Sequence, residues 1–176
     1  MYQTSATPTL FITGSASISV QSSVASTSYV ALGSAKSIKM SESFDIDDYE
    51  VGSLDVTHSI RNQGVTVEAD IYEINAERLN KIRGEIDTWN SSHTITSGGL
   101  FVVSPRTWVL TNTGPTSSQS ITITIYSGIQ TEPIKIDFMG DDATDISYTA
   151  LKVRGYIVST RTAGDQLYSI VDTRST

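Results

Sequence analysis

Alternation of apolar and polar positions is clearest at Val65, Val67, Ala69 and Ile71, which interleave with Thr66, Glu68, Asp70 and Tyr72. A period of two residues predicts a half-buried strand, with its acidic side facing away from the core. Directly afterwards the period changes. Asn75 is placed to cap a helix, and Leu79, Ile82, Ile86 and Trp89 fall on one helical face, so the spacing predicts a helix reaching Trp89 with Gly84 inside it and Asn80 off the packing stripe. Elsewhere the chain reads as strand and turn. Ile38, Met40, Phe44 and Ile46 predict a strand over 35–44 running into an acidic loop, Asp45 to Glu50; Leu54, Val56 and Ile60 predict another, closed by a turn at Asn62-Gln63-Gly64. Short strands follow at Leu100 to Val103 and Trp108 to Leu110. Strict alternation marks Ile121, Ile123 and Ile125, then Ile134, Ile136 and Phe138. Ile146 to Val158 is extended, and Thr162 to Asp165 is expected to close a hairpin onto Leu167 to Val171. So many strands with one helix predict a mainly β fold: two packed antiparallel sheets, sandwich- or barrel-like, with a flanking α-helix.

Composition changes this picture mostly at the ends. Residues 1–28 are rich in Ser and Thr, and the low apolar density up to Ser34 leaves two readings: a disordered tail, or an arm that orders against a neighbouring subunit, kept alive by Ile18 and Val20. Residues 172–176 are expected to fray. The 176 residues are read as a single domain, which at this length buries about 70% of its unfolded surface. No apolar run suggests a secretory leader or a membrane span.

The chain has no cysteine, which removes disulfides and thiolate metal sites. Twelve basic against nineteen acidic residues give a net charge of −7, unsuited to gripping nucleic-acid phosphates. No catalytic residue, cofactor site or metal site is predicted. His58 and His93 belong to no hydrolase or zinc motif. Asp45 and Asp47 resemble the first two ligands of a calcium loop, but Tyr49 stands at the third position and Glu50 replaces the required glycine. The tyrosines are scattered over strands rather than grouped with basic residues for base stacking.

The run from Val30 through Leu32-Gly33 to Ile38, then the acidic segment, then Gly64-Val65-Thr66-Val67-Glu68-Ala69 leading into Ile74-Asn75-Ala76-Glu77-Arg78-Leu79, resembles the major tail tube proteins of tailed bacteriophages. The resemblance covers about residues 29–90. It implies two β-sheets packed across each other with one helix, six copies closing into a ring, and rings stacking into a tube with sheet edges paired between subunits. It also implies a virion protein assembled in the host cytoplasm, meeting its own copies and tape-measure, sheath, terminator and baseplate proteins, and passing DNA without binding it specifically. An acidic bore suits that task, because carboxylates repel the DNA backbone. The candidates for lumen or ring stacking are Glu42, Asp45, Asp47, Asp48, Glu50, Glu68 and Asp70; the bland alternative is a solvated outer face. Two rivals remain: another virion protein of related fold, such as a tail terminator or head decoration protein, and a carbohydrate-binding β-sandwich.

Overall fold

A computed structural model describes residues 9–11, 16–22, 26–51, 55–72, 76–83, 88–89, 95–96, 103–113, 119–133, 136–138 and 147–173. The strands are β1 (Thr9–Phe11), β2 (Ala16–Gln21), β3 (Tyr29–Val51), β4 (Asp55–Tyr72), β5 (Thr88–Trp89), β6 (Ile95–Thr96), β7 (Arg106–Thr113), β8 (Ser120–Gln130), β9 (Ile136–Phe138), β10 (Ser147–Gly155) and β11 (Tyr168–Asp172); the helix α1 is Ala76–Ile82.

The mainly antiparallel β expectation takes the form of a closed barrel. Six strands pair in the order β7-β2-β3-β4-β10-β8, and β8 returns to β7. Closure gives one continuous sheet where the resemblance implied two packed across each other. The remaining strands continue existing ladders: β1 lies beside β3, β9 beside β10 and β11 beside β8. The stagger is large. From Gly128 the pairing runs through Gly155 and Val65 to Glu42 in one direction, and through Arg106 and β2 to the start of β3 in the other. Such stagger requires steeply tilted strands.

Alternate residues fill the interior. Ile18, Val20, Leu32, Val65, Val67, Ile71, Ile123, Ile125 and Val153 are essentially inaccessible to solvent. Burying each such side chain contributes about 1.5–3 kcal/mol. The barrel closes at a point where side chains must be absent. Gly128 and Gly155 face each other, and a Cβ on Gly155 would lie 2.5 Å from Val65 and 2.7 Å from Ile125, while one on Gly128 would lie 2.7 Å from both Trp108 and Val153. The Trp108 indole N–H donates to the Gly128 carbonyl at 3.0 Å, so the ring that fills the gap also ties it.

Several expectations are corrected. The N-terminal segment is part of the barrel: Ala16–Gln21 pairs with β3 on one edge and β7 on the other, and Ala16, Ile18 and Val20 are core residues. Serines at its outward positions hide this strand in the sequence, leaving Ile18 and Val20 as its apolar signal. At the other end Asp172 lies in β11, and the Thr173 amide donates to the Ser120 carbonyl at 2.9 Å. The helix stops at Ile82, and Trp89 instead pairs with Ile95 in a two-stranded ribbon; Gly84 and Ile86 lie outside the described residues. Within α1, Ile82 is buried as expected, but Leu79 is only half-buried and Asn80 is buried. The helix touches β3 and also β5 and β6, so it is covered on two sides, whereas a single stripe presumes burial on one. Finally, β10 and β11 do not form a hairpin with each other; both lie antiparallel along β8, with residues 156–167 looping out between them.

Candidate functional site

The acidic segment read as a loop is the far half of a long hairpin. β3 and β4 stay paired from Asp45↔Arg61 to Val51↔Asp55, well beyond the last rung that β4 shares with β10, Val65↔Gly155. At about 3.3 Å per residue this ribbon is roughly 20–25 Å long. Among the described residues no other strand pairs with it, so it forms an arm with two open edges. Its strand-forming residues, Phe44, Ile46, Tyr49 and Val51, alternate imperfectly with carboxylates. A two-sided, solvated ribbon needs no clean alternation, which is why the charge masked the strand.

A bulge marks the root of the arm. Between Ser43↔Gly64 and Asp45↔Arg61, Asn62 and Gln63 stand opposite Phe44 alone, and Asn62 has φ 52°. Asn tolerates this left-handed conformation better than most residues. Its side chain donates to Asp45 Oδ2 at 2.8 Å, fixing the bend. The sequence signal taken for a turn was therefore a bulge.

The seven predicted carboxylates divide into two groups with different surroundings. Glu42, half-buried at the arm's root, accepts a hydrogen bond from the Tyr168 hydroxyl at 3.0 Å. Burial, and then Glu42, push the Tyr168 pKa above its ordinary value. Asp45 is held by Asn62, and Asp47 forms a 2.8 Å ion pair with Arg61. Asp48 is exposed and pairs across the ladder with His58; Glu50 lies opposite Val56, its side chain outside the described residues. Asp45 and Asp47 are two residues apart on an extended strand, so they do not converge as calcium-loop ligands do. Among the described residues no cluster of three or more potential ligands is placed to hold a metal ion.

Glu68 and Asp70 sit elsewhere, on the outer face of the barrel, and they do not make it acidic. Their ladder partners in β3 are Lys39 and Lys36. From β10, Lys152 forms ion pairs with Glu68 at 3.2 Å and Glu132 at 2.7 Å. Hydrogen bonding first to Glu132 and then to Glu68 raises the Lys152 pKa. Lys39, Glu68, Glu132 and Lys152 line a groove of about 350 Å³ with Asp70 and Ala150. Two lysines and three carboxylates line it, and Lys36, the ladder partner of Asp70, adds a third positive charge beside them, so the surface has little net field. Cross-strand ladder positions carry this balance, and they could not be paired before the register was known.

Two features are not legible in the sequence, a buried arginine and a bulge at Leu32-Gly33. Arg106, 5% exposed, donates from Nη1 to the Gln21 and Ser22 carbonyls at 3.3 and 3.1 Å, satisfying the end of β2. Leu32 is the extra residue of a bulge against β2, and Gly33, at φ 119°, lies where a Cβ would come within 3.0 Å of the Tyr72 carbonyl. His93 and residues 97–102 and 139–146 lie outside the described residues. No helix among the described residues is long and apolar enough to cross a membrane. Compared with known proteins, the sequence matches no family model and no curated protein.

Proposed function

We propose that this chain is a structural subunit that closes into six-membered rings and stacks them into the tail tube of a bacteriophage, a conduit for DNA. The observation that supports the reading most is the projecting arm: a paired ribbon with two open edges, fastened at its root by a bulge and by Tyr168. An open-edged ribbon is a liability for an isolated protein and a connector for an assembling one. Six carboxylates against one arginine over residues 42–61 give it the charge to stay soluble before assembly and to repel phosphate where it faces DNA. The ring number and the order of motifs come from the resemblance over residues 29–90.

The same reading moves the acidic candidates. Glu68 and Asp70 lie in a balanced patch, so the arm's Asp45, Asp47, Asp48 and Glu50 are the better choice for lining the conduit or joining rings. A glycan-binding module is less favoured, because Trp108 is buried against Gly128 instead of being displayed. Negative-stain imaging of the purified protein tests the proposal directly. Rings or tubes of constant width are expected; one closed ring that never stacks would point to a terminator, and a monomer at high concentration would overturn the assembly.

A further inference from the structure

We infer that the free edge of β11 receives the β3–β4 arm of a second copy of this chain, an inference that rests on the self-assembly in the reading above and names the surfaces involved. Strand β11 is hydrogen-bonded to β8 along one side, and among the described residues its other side meets no strand. Its side chains show the same gap. Ile170 is level with Ile123, which is completely buried, yet Ile170 is 42% exposed, and Val171 on the opposite face is 56% exposed. Adjacent residues in a strand point to opposite faces, so both faces are open and what is missing is the next strand.

The topology shows why it is missing. β11 continues the line of β10 along β8, and on its far side β10 is covered by β4. Had β4 continued straight past Gly64, it would have run beside β11. The Asn62-Gln63 bulge turns it away, and the Tyr168–Glu42 hydrogen bond spans the gap at its root. The departing segment carries the complementary defect: Ile60 is 56% exposed on a strand with an open edge. Among the described residues, one chain thus holds an uncovered receptor edge and an uncovered donor ribbon that its own bulge keeps apart. A heterologous contact between two copies satisfies both, and repeated head to tail it closes a ring or propagates a filament.

The chain's lack of cysteine makes the test clean. Ile60→Cys and Val171→Cys are made as separate single variants, mixed, assembled and oxidised with copper phenanthroline. The mixture is expected to give a disulfide-linked dimer that disappears on reduction, roughly ten-fold or more above a control mixing Ile60→Cys with Tyr29→Cys, because docked sites meet at millimolar effective concentration. Tyr29 is 48% exposed and lies at the far end of β3. Val171→Lys, a charge on the receptor edge, is expected to abolish assembly while leaving the circular dichroism spectrum unchanged. Tubes or rings without the cross-link would overturn the edge assignment and leave the tube reading standing. The cross-link in oligomers that never form tubes would support the edge assignment and sink the tube. An intrachain disulfide in the double variant at high dilution would show that the arm folds onto its own β11, and would overturn the second-copy assignment.

Discussion

At the scale of single residues, the barrel depends on two positions where nothing larger than hydrogen fits. A methyl group on Gly155 would meet Val65 and Ile125 well inside van der Waals contact. Gly155→Ala is therefore expected to destabilise the fold by about 1–3 kcal/mol, measured by urea unfolding. The loop between β10 and β11 offers a second test. Asp165 accepts from the Tyr126 hydroxyl and from Arg161, whose guanidinium stacks 3.7 Å from the Tyr126 ring centre, and these two partners, Tyr126 first, lower the Asp165 pKa. A depressed carboxylate pKa contributes stability above the unfolded value, about 3.9, that is lost as pH falls through the folded one. Asp165→Asn should therefore lower the melting temperature at pH 6, and the difference from the parent should shrink as the pH falls below the unfolded value, about 3.9, and through the lowered folded one. A gap of constant size across that range would show that the carboxylate's charge is irrelevant.

At the scale of elements, what was legible in the sequence depended on whether the signal was local. Strands β4 and β8 could be read from Val65 to Tyr72 and Ile121 to Tyr126 because each buries one face, and that asymmetry is written into every second residue. Strand β2 could not, since its serines and Ala16 leave only Ile18 and Val20 as signal, and β7, which covers its second edge, is remote in sequence. The acidic arm looks like a loop in the sequence because carboxylates interrupt the alternation of Phe44, Ile46, Tyr49 and Val51. The helix was extended too far because Ile86 and Trp89 continued a stripe that the chain abandons after Ile82. Asn62 gives the arm its own test. Asn62→Gly should keep the bulge, whereas Asn62→Val forces a β-branched residue into a left-handed conformation and is expected to cost about 1–2 kcal/mol locally. Hydrogen exchange of the arm amides should accelerate in the valine variant alone, with the barrel amides unaffected.

At the scale of the whole molecule, charge is distributed unevenly: a neutral, ion-paired barrel face and a strongly acidic arm. Under the proposed tube, this partition predicts different outcomes for charge reversal. Asp45→Lys with Asp48→Lys should slow DNA release from assembled particles at low salt and recover as salt rises, because counterion release drives phosphate binding. Glu68→Lys with Asp70→Lys should act chiefly by crowding Lys36, Lys39 and Lys152, and should appear as lowered thermal stability. If the barrel-face variant alone slowed release, the conduit would be lined by the barrel and the arm would serve only between rings.

The closure of the barrel also sets an order in time. Ser17 and its partner Thr111 are separated by 94 residues, so β2 must wait for β7 before its second edge is covered. The final rungs, Gly128↔Gly155 and its neighbours, form only once the chain has been made through β10. During synthesis β2, β3 and β4 therefore emerge before the strands that close the barrel, and high-contact-order β topologies of this kind fold on the scale of milliseconds to seconds. Through that interval the arm's charge, six carboxylates against one arginine over residues 42–61, already sets nascent chains to repel one another, a contribution to solubility that does not wait for the barrel to close.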